Sequence, residues 1–122
     1  MPTRLWSVVF AAADPPSLAR FWSVATGWPA EADGSGVVVV EAPAGSHEPG
    51  IPLVFVPNAD PKVGKNRVHL DLDSRSADHQ AAAVERLRAA GARPVDVGQR
   101  GVPWVVLADP EGNELCVLTP RG

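Results

Sequence analysis

In Lys65-Asn66-Arg67-Val68-His69-Leu70-Asp71-Leu72-Asp73, polar and apolar residues alternate strictly from Arg67 to Asp73. A two-residue period puts Val68, Leu70 and Leu72 on one face of a strand and Arg67, His69, Asp71 and Asp73 on the other. A cation, an imidazole and two carboxylates on one face suit either a solvated surface or the polar floor of a cleft. What flanks the strand shows which element of a larger pattern it is.

Downstream, Ser76 reads as a helix N-cap, and the helix runs through residues 80–90 with Val84, Leu87 and Ala90 turned inward, ending at Gly91. Three short strands then fit residues 93–97, 103–107 and 114–119. The last two are joined by the turn Asp109-Pro110-Glu111-Gly112-Asn113. Upstream the same order occurs once already. Residues 5–12 are β-rich, and Asp14-Pro15-Pro16 offers an N-cap carboxylate followed by proline in the first turn. Leu18, Phe21, Trp22 and Ala25 then form one helical stripe that stops at Gly27. Short strands fit residues 29–32, 37–41 and 52–56, separated by Asp33-Gly34-Ser35-Gly36 and by the turn-rich residues 43–50. Aligning Gly27 with Gly91 brings the two opening strands into register within a couple of residues.

The pattern predicts two βαβββ modules, over residues 3–57 and 65–120, with 58–64 as linker. Neither module is large enough to bury a sheet face and a helix alone, so the expectation is one α+β domain over residues 1–122. An apolar run over residues 5–13 behind Arg4 imitates a signal peptide, but it falls short of the usual window and supplies the first strand of module one.

The bulk numbers bound the partners. With 122 residues, 45% hydrophobic and 20% charged, the chain reads as a globular domain with a real core. A net charge of −3, with eleven Lys and Arg dispersed along the chain, leaves no footprint for nucleic acid or an anionic membrane surface. No stretch approaches the length needed to span a bilayer. The lone Cys116 excludes an intrachain disulfide and a multi-cysteine zinc site, and it fits the cytoplasm.

Several residues taken together carry a family resemblance. They are Asp14-Pro15 with Phe21-Trp22 and Gly27-Trp28, the segment 65–71, and Trp104 followed by Asp109-Pro110-Glu111-Gly112-Asn113-Glu114-Leu115-Cys116-Val117. In this order and spacing they resemble the glyoxalase-like branch of the vicinal oxygen chelate superfamily. The resemblance implies a curled, cup-shaped mixed sheet with helices outside, a ligand in the concavity, and a homodimer. Members include glyoxalase I, extradiol dioxygenases, fosfomycin-resistance thiol transferases and metal-free proteins that sequester bleomycin.

Metal-using members draw His from the opening strands and Glu from the closing strands. By resemblance the corresponding positions here are Ser7, Phe55, His69 and Cys116, so His69 alone matches. One matching ligand does not hold Mg²⁺, Mn²⁺ or Fe²⁺, and the expectation is no metal and no cofactor. A zinc site from His69 and Cys116, with Asp71 or Glu114 as a third donor, is the weaker alternative.

The candidate catalytic residues are His69, an imidazole able to exchange protons near neutral pH, and Asp71. Two residues of strand rise put Asp71 about 6.5–7 Å from His69, too far for direct contact. Ligand-binding candidates are Ser7, Trp28, Phe55, Asn66, Arg67, Trp104, Glu114 and Cys116. Trp6 and Trp22 read as core, and Glu114, inside an apolar cup, is expected to have a raised pKa. The segment Ser46-His47-Glu48 does not continue into a His-Glu-x-x-His site. Two functions fit: a metal-independent protein binding a small, partly apolar organic molecule, or a metal-independent lyase or isomerase using His69 as general acid–base.

Overall fold

A computed structural model of the chain describes residues 1–47 and 50–121; Glu48 and Pro49, inside the expected turn over residues 43–50, lie outside the described residues. The chain forms two compact units, Met1–Pro61 and Lys62 onward, divided within the expected linker. Each follows the order βαβββ.

Unit one contains β1 (Val8–Ala12), α1 (Pro15–Thr26), β2 (Ala30–Ala32), β3 (Val38–Val40) and β4 (Leu53–Pro57). Its sheet runs β1-β4-β3-β2, with β1 parallel to β4 and the other pairs antiparallel. Asp14 caps α1 by accepting from the Ser17 backbone N–H at 3.2 Å. Gly27 ends it at φ 75°, a conformation that glycine adopts without steric cost. Leu18, Phe21 and Trp22 bury the helix stripe with Val38, Val40, Leu53 and Phe55. Phe10 stacks on Phe55 at 4.8 Å and meets Trp22 at 5.4 Å.

Two expectations need correction in this unit. The opening strand starts at Val8, not at residue 5, because Val8 pairs with Leu53 and the next partner would be Pro52, which has no N–H to continue the ladder. Trp6 therefore precedes the sheet. It is 68% exposed, with the Arg4 guanidinium 4.9 Å from its ring centroid, and is not core.

Unit two contains β5 (Leu70–Leu72), α2 (Ala77–Ala89), β6 (Arg93–Pro94), β7 (Val105–Ala108) and β8 (Glu114–Val117), in sheet order β5-β8-β7-β6. Ser76 caps α2 through the His79 N–H at 3.0 Å. The helix buries Ala83 and Leu87, while Val84 and Ala90 stay partly exposed.

The opening strand of this unit is three residues long, shorter than the alternation over 65–73 implied. Leu70 pairs with Leu115, so a straight ladder would set residue 69 beside Glu114. That place is taken: Asn66 donates its backbone N–H to the Glu114 carboxylate at 3.0 Å and its side-chain N–H to the Glu114 carbonyl at 3.2 Å. Residues 67–69 must bend outward, and Val68 stands 79% exposed.

The β7–β8 connection is the hairpin turn read from Asp109 to Asn113. Asp109 is fully buried, and its carboxylate accepts from the backbone N–H groups of Glu111 and Asn113, both at 2.9 Å, and from the Asn113 side chain. Among the described residues no helix is long and apolar enough to cross a membrane.

Replacing Asp109 by Ala should cost about 2–4 kcal/mol, because several turn N–H groups lose a charged acceptor inside the fold. Urea denaturation measures this, and an unchanged midpoint would mean that the turn holds without the carboxylate.

Candidate functional site

Unit two's parallel strand pair sets Asp71 opposite Cys116. His69 arrives from the outward bend just before β5, so its ring leans along the strand instead of standing one full repeat away. Its Nε2 lies 3.0 Å from Asp71 Oδ1, which corrects the expected separation. One ligand-type atom from each of His69, Asp71 and Cys116 falls within 4.8 Å of the others. The His69 and Asp71 side chains are 48% and 49% exposed, whereas Cys116 is buried.

Burial, and then the Asp71 carboxylate beside it, push the Cys116 thiol above its ordinary pKa of 9.0. At neutral pH it is a protonated, weakly nucleophilic thiol.

Glu114 behaves differently from expectation. Burial pushes its carboxyl upward, but the Asn66 N–H and Lys62 outweigh it, and the net pKa is lowered from 4.5. Lys62 Nζ stands 3.0 Å from Oε2 as an ion pair. Glu114 is thus a clamp on residues 62–66 as well as a cavity residue.

The cluster opens on a cavity of about 460 Å³ within unit two. Its polar lining includes Asn66, His69, Asp71 and Glu114; its apolar lining includes Trp104, Val97, Val106 and Leu118. Arg67 does not line it. Lys65, Arg121 and the loop residues Gly98 and Gln99 do, and sequence reasoning had not singled them out. A usable signal lay in Gly98-Gln99-Arg100-Gly101, whose two glycines have φ of 98° and 64°. The Gln99 side chain fixes this loop, accepting from the Val97 N–H at 2.8 Å and donating to the Val95 carbonyl at 3.0 Å.

Ser7, Trp28 and Phe55 belong to unit one. Ser7 is half-buried before β1, and Trp28 is half-buried with its indole against Gly50, where any Cβ would overlap the ring. Phe55, expected to line a ligand, has no exposed surface and packs on Phe10, because its alternate position on β4 points into the core.

The glyoxalase-like domain family matches residues 7–118 of this chain. The chain belongs to the glyoxalase-like domain family. The fold is shared with solved structures at low identity. A glyoxalase/bleomycin resistance protein/dioxygenase family enzyme from Burkholderia phytofirmans PsJN aligns with TM-score 0.74 and 15% identity, over 98% of this chain and 100% of that one. The fosfomycin resistance protein of Listeria monocytogenes, solved as a mutant with Mn(II) and 1S,2S-dihydroxypropylphosphonic acid, aligns with TM-score 0.73 and 13% identity, covering 99% and 93%. A hypothetical protein from S. aureus aligns with TM-score 0.72 and 15% identity, covering 98% and 95%. A search of curated proteins finds no match.

Within this glyoxalase-like domain the residues do not fit the His and Glu set of metal-using members. Unit one's parallel strand pair, VVFAA with LVFVP, carries no side-chain nitrogen, oxygen or sulfur. Unit two supplies His69, with a thiol at Cys116 where Glu is usual.

A lowered carboxyl pKa contributes stability that is complete above the unfolded-state value and is lost as pH falls through the folded value. The Glu114 contribution should therefore begin to decline near pH 4.5 and be lost progressively as pH falls further, through the lowered folded value. Glu114→Gln should cost about 1.5–3 kcal/mol at pH 7 and less at about pH 3, below the unfolded-state value of 4.5. Urea midpoints at the two pH values test this, and a pH-independent deficit would remove the charge from the explanation.

Proposed function

We propose that the glyoxalase-like cavity of unit two binds a small, partly apolar organic molecule, without the hard divalent metal of the family's His and Glu set. The observation that carries this reading is the cavity's composition. Trp104, Val97, Val106 and Leu118 offer a dry surface for a flat apolar body, while Asn66, His69 and Asp71 offer hydrogen bonds at one place. A volume of about 460 Å³ is within the range of small-molecule pockets. Lys65 and Arg121 line the same space, and neither is in an ion pair among the described residues, so aromatic carboxylates are the first probes.

One observation favours a second reading, a metal-independent lyase or isomerase. The His69–Asp71 hydrogen bond orients the imidazole beside the cavity, as a general acid–base requires. Asn66 or Arg67 would then steady a developing oxyanion, with Asn66 better placed because it lines the cavity. A cytoplasmic homodimer is part of the same proposal, supported by the family resemblance and by the free thiol of Cys116.

Thermal-shift screening with a panel of aromatic carboxylates should give hits whose affinity falls about tenfold or more in Trp104→Ala. Hits indifferent to that change, or no hit across the panel, would sink the binding reading. His69→Asn should leave such binding largely intact, and for a lyase or isomerase it should lower turnover about 100-fold or more. Turnover unaffected by His69→Asn would dispose of the acid–base role.

A further inference from the structure

We propose that His69, Asp71 and Cys116 hold one borderline-soft divalent cation of the zinc class at the wall of the unit-two cavity. Three observations converge on it. The donors are of three kinds, imidazole nitrogen, carboxylate oxygen and sulfur, with one atom of each within 4.8 Å of the others. Two of the three are fixed by backbone pairing, since Asp71 and Cys116 are register partners across parallel strands, where paired residues project to the same side. The third, His69, is already turned toward Asp71 at 3.0 Å by the bend that the Asn66–Glu114 contact forces.

All three residues line the cavity, so a cation among them would keep one position open toward it. Three protein ligands and one open position is the arrangement of zinc sites that take a water or a ligand group, in contrast to closed structural sites. An aromatic carboxylate in the cavity would be chemically able to fill it.

Donor chemistry sets the selectivity. A thiolate and an imidazole favour zinc-class cations, whereas Mg²⁺ and Mn²⁺ are suited to carboxylate, carbonyl and water oxygens. This set differs from that of the family's metal-using members at both ends: sulfur stands where a Glu oxygen is usual, and Asp71, outside that set, supplies the oxygen. On binding, the cation takes the place of the proton between His69 and Asp71, and the Cys116 thiol proton leaves to solvent.

Chelator-stripped protein titrated calorimetrically with Zn²⁺ alone should bind one equivalent, and Mg²⁺ or Mn²⁺ should not compete at tenfold excess. Co²⁺ should produce a thiolate-to-cobalt charge-transfer band in the near ultraviolet. Cys116 is the only cysteine, so surface histidines such as His47 and His79 cannot give that band. Cys116→Ser should abolish it. If that variant does not fold, His69→Ala decides, because its side chain is half exposed; it should weaken Zn²⁺ at least tenfold. Absence of stoichiometric zinc, a missing charge-transfer band, equal binding of Mn²⁺, or zinc affinity unchanged in the variants would each overturn the site. No organic ligand enters these titrations, so a cavity that binds aromatic carboxylates but no zinc overturns this inference alone.

Discussion

Glu114 holds Asn66 twice, through its carboxylate and through its carbonyl, and the arrangement of unit two's polar residues follows from that grip. Residues 67–69 lie between Asn66 and the start of β5 and have no place in the ladder, so they bow outward. The bow leaves Val68 and Arg67 exposed and lowers His69 onto Asp71. Strand rise alone spaces the two residues' backbones by about 6.5–7 Å, and the side chains close that gap to 3.0 Å. The energetics are also local: Asn66 and Lys62 stabilise the Glu114 carboxylate enough to override the burial that opposes its charge.

The two units show what a common topology leaves free. Both pair an opening strand in parallel with a closing strand, and both place a capped helix after the opening strand. In unit one that parallel pair is apolar throughout, and its Phe10–Phe55–Trp22 ring cluster builds core. In unit two the equivalent pair carries Asp71, Glu114 and Cys116. Topology brings the strands together in either case; side-chain chemistry alone separates a packing surface from a polar site.

The repeated order of elements was legible because its punctuation is local. Asp14, Ser76, Gly27 and the Asp109–Asn113 turn each act within a few residues of themselves, so their physics can be read from the string. Strand ends were less legible, since they depend on partners: Pro52 stops β1 and Glu114 shortens β5, each from more than 40 residues away. Asn66, His69, Asp71 and Glu114, singled out one by one, line one cavity while Arg67 does not, and the contacts between them were not legible, because alternation does not report the bend before β5. The reading of Trp6 as core failed for a related reason. Period two assigns faces, but whether a face is covered depends on elements elsewhere in the chain.

Energetic scale separates the residues that hold the site from those that act in it. An exposed pair such as His69–Asp71, each side chain about half accessible, contributes roughly 0–1 kcal/mol to folding. Asp109 and Glu114, both carboxylates with backbone N–H partners in shielded surroundings, contribute more per group. The exposed pair therefore has little structural reason to adopt one geometry, yet the bend and the Asp71–Cys116 register hold it beside a cavity. Changes at His69 should consequently act on the chemistry of the cavity wall, proton transfer or cation binding, while leaving the fold almost untouched, and changes at Glu114 should lower stability. That separation makes His69 the informative position for chemistry, and makes Glu114 the control that reports on the scaffold.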